Sequence, residues 1–465
     1  MAFPVRLRGR TTGIAFVMLA ALAQRASAQS EEPTESSSQP EQPTRLTAQS
    51  EEPPPGAESG RVDEIDESPS TLRLVGRSLL FVPRTIVDVV ALPIRGGLWL
   101  SDRYRLVDRY NQIFFNDAMT VGLYPTIQRE SGFGVNVGAR FVARDVFGAR
   151  EHVSVRAATG GRFRERASAQ LDTGDRLGEH VSVGVVGEAD RRAKEAFYGF
   201  GNDGLALEGR HRQELRRARA AVDVRVFEDL HARAAGALTQ IDYEPSDPAD
   251  GMPIDLVYDT SMLVGWDGVR HTYGELEVRW DSRRAASQWD PPGLVSAGWL
   301  AAVYTGRVHQ LDALRDYWRY GADLQHFLWL GLGPRVLVTR LHGEAVSAGD
   351  VAFTELPQLG GATWLRGYPF DRFRDRVAVL GSAEYQWDLI RHASASLFVD
   401  VGRVYGSLGD VGFDELRVGY GVGLQVQTTR SFVAEASLAS SKDGGLFLNI
   451  TFDPVYRISP REARR

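Results

Sequence analysis

The sequence predicts an all-β fold, a sixteen-stranded antiparallel transmembrane β-barrel with a short N-terminal helical segment. Three observations predict it. The chain opens on an export signal, no later stretch is apolar enough for a spanning helix, and from about residue 117 apolar residues recur at every second position. Composition agrees: 43% hydrophobic and 25% charged residues is too polar for a helical membrane protein. It suits a barrel, where only alternate residues face lipid.

The N-terminal elements come first. Arg6, Arg8 and Arg10 precede an apolar run from Gly13 to Ala23, and Ala26-Ser27-Ala28 forms a small-residue cleavage site. The run is too short to span a bilayer, so residues 1–28 read as a signal peptide. The chain has no cysteine, which excludes a lipoprotein anchor, disulfides and thiolate metal sites. Residues 29–71 are rich in Glu, Ser, Gln and Pro and read as a disordered linker, because they bury too little apolar surface to offset ordering. Residues 72–116 read as a helical periplasmic or plug segment. Leu79, Leu80, Val82, Ile86, Val87, Val89 and Val90 suggest short helices kinked near Pro83 and ended near Pro93. A further piece, Leu98 to Tyr110, carries Trp99, Tyr104, Arg105 and Tyr110, suited to a membrane interface or to packing under a barrel mouth.

The barrel is expected over 117–453, with a periplasmic tail at 454–465. In Gly274–Asp281, Leu276, Val278 and Trp280 alternate with Glu275, Glu277, Arg279 and Asp281. In 416–427, Leu416, Val418, Tyr420, Val422, Leu424 and Val426 alternate with Arg417, four glycine or glutamine positions and Gln427. A β-sandwich hides its apolar face; a membrane barrel turns that face to lipid and the polar one to a wet lumen. Recurrent Arg, Glu and Asp on the second face favour the barrel. Candidate strands fall at 118–128, 133–144, 150–160, 164–173, 179–190, 212–226, 229–243, 270–281, 293–305, 316–329, 333–346, 377–389, 393–405, 414–427, 430–440 and 444–453. Connections near 145–149, 174–178, 330–332, 390–392 and 428–429 are short, as periplasmic turns are. Those near 191–211, 244–269 and 347–376 are long, as extracellular loops are. Only 282–292 departs from this alternation.

The loop at 347–376, the sixth extracellular loop in this count, holds the string PQLGGATWLRGYPFDRFRDR, and within it Leu365-Arg366-Gly367-Tyr368. Phe398-Val399-Asp400-Val401-Gly402 follows on the thirteenth strand. Alternation places Glu384 on strand twelve and Asp400 on strand thirteen on the same lumen face. A forked guanidinium such as Arg366 can bind both carboxylates. Gly367 allows a tight tip. Together these strings resemble the apolar-Arg-Gly-aromatic and F-x-D-x-G signatures of the BamA/TamA-like outer-membrane superfamily, the bacterial surface-antigen family, and the resemblance covers the barrel alone. Tyr198-Gly199-Phe200-Gly201-Asn202-Asp203 is similar to a Gly-aromatic-Gly-Asn element of related barrels.

The resemblance implies a protein that takes part in insertion or translocation of proteins at the bacterial outer membrane. It implies that the sixth loop enters the lumen and is locked there by Arg366, Gly367, Tyr368, Glu384, Phe398, Asp400 and Gly402, with Tyr368 packing on Phe398. Pro125 in the first strand and Gly444 and Gly445 beside the last are expected to weaken the closing seam, which then serves as a lateral gate. The last strand, Gly445 to Phe452, resembles a barrel-targeting strand, although a tail follows. Relatives carry POTRA domains; residues 72–116 do not read as one, so a periplasmic partner is expected to take over that role.

Expected partners are outer-membrane lipid and an unfolded or exported protein. The formal net charge of −6 speaks against nucleic acid. No G-x-S-x-G elbow or H-E-x-x-H site occurs, and the nine histidines are scattered, so no enzyme, cofactor or metal site is expected. The rival reading is a passive pore or structural surface protein.

Overall fold

Period-two alternation sorts each strand's side chains onto two faces, and that sorting builds the wall. The computed structural model describes residues 103, 109, 112–118, 120–129, 135–160, 164–202, 207–284, 297–330, 335–390, 393–427 and 432–451. The expected signal peptide, linker and C-terminal tail lie outside these residues, as does most of the 72–116 segment; residues 103, 109 and 112–114 are helical.

Sixteen strands form one antiparallel sheet in chain order. They are β1 (Val121–Arg129), β2 (Val135–Arg144), β3 (His152–Thr159), β4 (Arg164–Asp172), β5 (Val181–Phe197), β6 (Gly209–Arg225), β7 (Leu230–Pro245), β8 (Val269–Asp281), β9 (Gly298–Gln310), β10 (Tyr317–Trp329) and β11 (Arg335–Val346). After the two-residue strands β12 (Gln358–Leu359) and β13 (Phe373–Arg374), which pair with each other, come β14 (Val377–Ile390), β15 (Ala393–Tyr405), β16 (Arg417–Gln427), β17 (Phe432–Ser441) and β18 (Leu446–Thr451). This is the sixteen-stranded antiparallel fold read from the sequence. β1 and β18 end the order. Their Cα atoms approach within 8 Å, and among the described residues no ladder joins them.

Two boundaries differ from the alternation for physical reasons. β5 continues past 190 to Phe197, because a register shift between Arg192 and Glu195 moves the inward parity from even to odd residues and hides the continuation. β9 runs to Gln310 rather than 305: Arg307 and His309 lie exposed on its outer face, so that strand end carries charge where apolar residues were sought. Gly444 and Gly445 need a correction too. They lie in the turn before β18, not in a strand, with φ of 91° and 89°, and their carbonyls accept from the Ser441 and Ser440 hydroxyls. Their role there is turn geometry, which left-handed backbone reserves largely for glycine. Pro125 does lie in β1, opposite Ala139.

The outer face is apolar and open: Leu276 is 64% exposed, Val303 and Leu341 57%, Leu448 52%. These apolar side chains recur along the outer face of successive strands rather than standing singly. The inner face is polar and buried, and its charges pair: Arg164 with Asp190 at 3.0 Å, Arg217 with Glu188 at 3.2 Å, Arg279 with Glu277 at 3.1 Å, Arg319 with Glu344. Near the long-loop rim an apolar cluster of Phe197, Ile241, Tyr243, Ile254, Leu263 and Phe353 joins strand ends to the loops. The 246–268 loop is shaped by short 3-10 turns, two of them capped by Asp247 and Asp259.

Leu341, mid-strand in β11, tests the outer face. Leu341→Arg is expected to destabilise the barrel refolded in lipid by about 2–4 kcal/mol, measured by urea unfolding. A change within about 0.5 kcal/mol, normal for a water-facing position, would deny that this face meets lipid.

Candidate functional site: the loop held inside the sheet

The segment 347–376 joins β11 to β14, and is termed L6 as the sixth connection on its rim. Its stem is the β12–β13 hairpin and its tip is Trp364-Leu365-Arg366-Gly367-Tyr368. The tip lies buried: Leu365 is 0%, Arg366 1% and Trp364 3% exposed.

Arg366 is the largest fully buried side chain among the described residues. Its Nε and Nη2 donate to the two oxygens of Asp400 at 2.8 and 2.9 Å, and its backbone N–H adds a third bond to the same carboxylate at 2.9 Å. Nη1 donates to Glu384 at 2.7 Å. β14 and β15 are adjacent, with Ser382 opposite Asp400, so strand parity alone brings both carboxylates to one place. Ser382 completes the set, donating to Asp400 at 2.5 Å and accepting from Arg366 at 3.4 Å. Gln386 donates to the other Glu384 oxygen at 2.9 Å. Each of the four carboxylate oxygens thereby accepts at least one hydrogen bond, as a buried ion pair requires.

Of the residues singled out in the sequence, Arg366, Glu384, Phe398 and Asp400 meet here. Phe398 does so by another contact than expected: the guanidinium lies 3.5 Å over its ring, a cation–π arrangement. Tyr368 turns instead to Phe373, with ring centroids 5.1 Å apart, and donates to Asp443 at 2.8 Å. Burial, with that acceptor, pushes its hydroxyl up to about 12, so it stays a donor. Gly367 has φ 96°, and a Cβ there would meet the Ser440 carbonyl at 2.2 Å. Gly402 leaves room for Leu359 of the hairpin, 3.0 Å from where its Cβ would stand. Pro125 is not among these contacts, whereas Gly444 directly follows Asp443, the acceptor of Tyr368, and Gly445 accepts from Ser440, whose own carbonyl lies against Gly367.

Three further participants were not placed at this site by sequence reasoning. Gly419 on β16 admits the tip backbone: a Cβ there would stand 1.6 Å from the Arg366 carbonyl. The signal was the glycine-rich inner face of 419–423. Trp364 lies over a second buried network, 4.3 Å from the Arg340 guanidinium and 4.1 Å from His342. Arg340 and His342 of β11 both bond Asp323 of β10. Asn202 is the third, described below. Between L6 and the wall of β4–β7 remains a polar cavity of about 120 Å³, lined by Glu188, Arg192, His211, Arg319, Glu355 and Arg374 among others. It has room for water.

Removing the cation leaves two carboxylates buried without it. Arg366→Ala is therefore expected to cost about 3–5 kcal/mol in urea unfolding. Arg366→Lys is expected to recover little, since an ammonium cannot bridge both groups in a fork. Full recovery by Lys would show that charge alone holds the tip.

Residues 296–439 match the family model described as the Omp85 superfamily domain, a span that contains L6, Glu384 and Asp400. No curated protein sequence matches the chain. Among solved structures, BamA from Haemophilus ducreyi lacking POTRA domains 1–3 is similar at 12% identity, over 71% of this chain and 69% of that one, with a TM-score of 0.53. CdiB from Escherichia coli is similar at 11% identity over 71% and 61%, TM-score 0.45. CdiB from Acinetobacter baumannii is similar at 10% over 71% and 59%, TM-score 0.46. The chain thus spans less than two thirds of either CdiB. At such identities the BamA likeness speaks for the fold. The family match and the fold likeness agree with the two strings that first suggested them: residues 296–439 are similar to the Omp85 superfamily domain, within a sixteen-stranded sheet whose fold is like that of BamA.

Proposed function

We propose that this chain is an outer-membrane barrel of the surface-antigen type that takes part in insertion or translocation of proteins. In this reading L6 is a plug locked by Arg366, and the β1–β18 edge is a lateral gate. The observation that carries the proposal is the buried Arg366 held at once by β14 and β15. A loop needed only to cover a rim has no reason to place a cation at the foot of a polar lumen wall. The chain sits in the bacterial outer membrane with the L6 rim outward, lipid on its apolar face and an unfolded or exported protein as substrate. A partner protein on the periplasmic side supplies substrate capture to this chain. No catalytic chemistry is assigned to it.

The edge strands support the gate. Among the described residues no ladder pairs β18 (Leu446–Thr451) with β1, and Pro125 in β1 lacks an N–H for a ladder. An open pair of strand edges is also a template for a third strand, which gives a substrate strand a place to bind.

The test is a quantitative proteome of outer membrane and medium after depletion, rescued by wild type or Arg366→Ala. Particular barrels or exported proteins are expected to fall and to return with wild type only. An unchanged proteome would instead support a passive pore or structural surface protein. The gate has its own test, which the cysteine-free chain makes clean: a disulfide engineered between β1 and β18 is expected to block rescue until reduced, and full rescue in the oxidised state would eliminate the gate.

A further inference from the structure

The turn between β5 and β6 reaches across the sheet and grips L6 from the other side. β5 is the fifth strand in order and β15 the thirteenth, half the sixteen-strand circuit apart. Yet Gly201 donates its backbone N–H to the Arg374 carbonyl of the L6 hairpin at 2.9 Å. The Asn202 amide bonds the backbone of β15. Its Nδ2 donates to the Val404 carbonyl at 2.6 Å, and its Oδ1 accepts from the Val404 N–H at 3.1 Å.

The position explains the residue. The β15–β16 ladder stops at Gly402 opposite Arg417, so Val404 would present an unpaired N–H and C=O. Asn202 fills the place of the missing β16 residue. Only a carboxamide offers one donor and one acceptor in the arrangement of a peptide group. Arg417 donates to the Asn202 carbonyl and holds the turn in line with β16. Gly199 and Gly201, with φ of 83° and 81°, let the chain turn sharply enough to reach. Arg372 of L6 adds a cation–π contact over Tyr198 at 4.9 Å. Val404 itself packs in the cluster that contains Leu359, Trp364, Leu365, Tyr368 and Phe373, so the stem and tip of L6 and the gripped strand form one packed unit.

We propose that residues 198–202 are a second latch on L6, with Asn202 as the positioning residue that must let go before L6 can leave its seat. The inference rests on reading L6 as a displaceable lock and adds a second control point on the opposite wall. Two latches on opposite walls make release cooperative: loosening either exposes the other to water.

The test is amide hydrogen exchange over 358–376 in the full chain refolded in lipid nanodiscs, with folding checked by heat-modifiable gel mobility. Asn202→Ala is expected to speed exchange about tenfold at both stem and tip. Asn202→Asp is expected to do at least as much, since it loses the donor and sets a carboxylate against the Val404 carbonyl. Arg164→Ala, which breaks a buried pair on β4 and β5, is the control expected to leave L6 protection unchanged. Should Asn202→Ala fail to fold, Asn202→Ser, which keeps one bond at most, is read in its place. L6 protection unchanged in the Asn202 variants while Arg366→Ala raises exchange would overturn the second latch and leave the Arg366 lock standing. Raised exchange in both, with an unchanged exported proteome in both, would keep the latch and remove the transport reading.

Discussion

Everything at the L6 site depends on one constraint: a guanidinium 1% exposed cannot be left without anions. A buried unpaired charge costs several kcal/mol even after relaxation, so the seat of Arg366 dictates its surroundings. Two carboxylates must project from adjacent strands, which fixes the parity of β14 against β15. A hydroxyl, Ser382, must take up the remaining capacity. The tip backbone must approach the wall closely enough for its own N–H to reach Asp400, and that approach requires the bare Gly419 surface. The glycines and the serine follow from the cation rather than from any preference of the strands themselves.

The same logic extends around the wall. An ordinary domain hides apolar side chains from water; this sheet shows them on the outside and hides ion pairs within. Such an arrangement is stable only where the outer medium is itself apolar. Several inner pairs join neighbouring strands, β4 to β5 through Arg164–Asp190, β5 to β6 through Arg217–Glu188 and β10 to β11 through Arg340–Asp323, so these strands are tied by charge as well as by their ladders. The apolar cluster around Phe197 and Phe353 is confined to the loop rim, where the loops supply the cover that a core needs.

How much of this was legible depends on range. Strand alternation is local, and the sheet could be read from it almost strand by strand. It failed where local parity breaks: the shift at Arg192/Glu195 hid seven residues of β5 (from Arg191 to Phe197). The meeting of Glu384 and Asp400 with Arg366 was legible because it needs only parity, adjacency and loop order. The partner of Phe398 was not, because ring stacking under a cation depends on where the tip comes to rest. Gly444 and Gly445 were misplaced because glycine in a weak strand and glycine in a tight turn look alike until φ is known. Asn202 was visible as part of a string, but its partner lies 202 residues away, and no periodicity connects β5 to β15.

A polar lumen also changes what it means to break such a lock. In an apolar core the two halves of a broken ion pair would stay desolvated, and the penalty would stand for as long as the pair was apart. Here a polar cavity already lies between L6 and the wall. If the tip withdraws, water can follow it to Glu384 and Asp400. The cost then falls from that of a buried charge toward that of an exposed pair, which is small. The barrier is therefore concentrated at the start of the motion, while the carboxylates are still dry. The bonds of the Asn202 turn to β15 add to the cost of that first step, because they too must break before water enters. In the proposed reading the far-wall turn and the Arg366 site therefore both hold L6 in its seat.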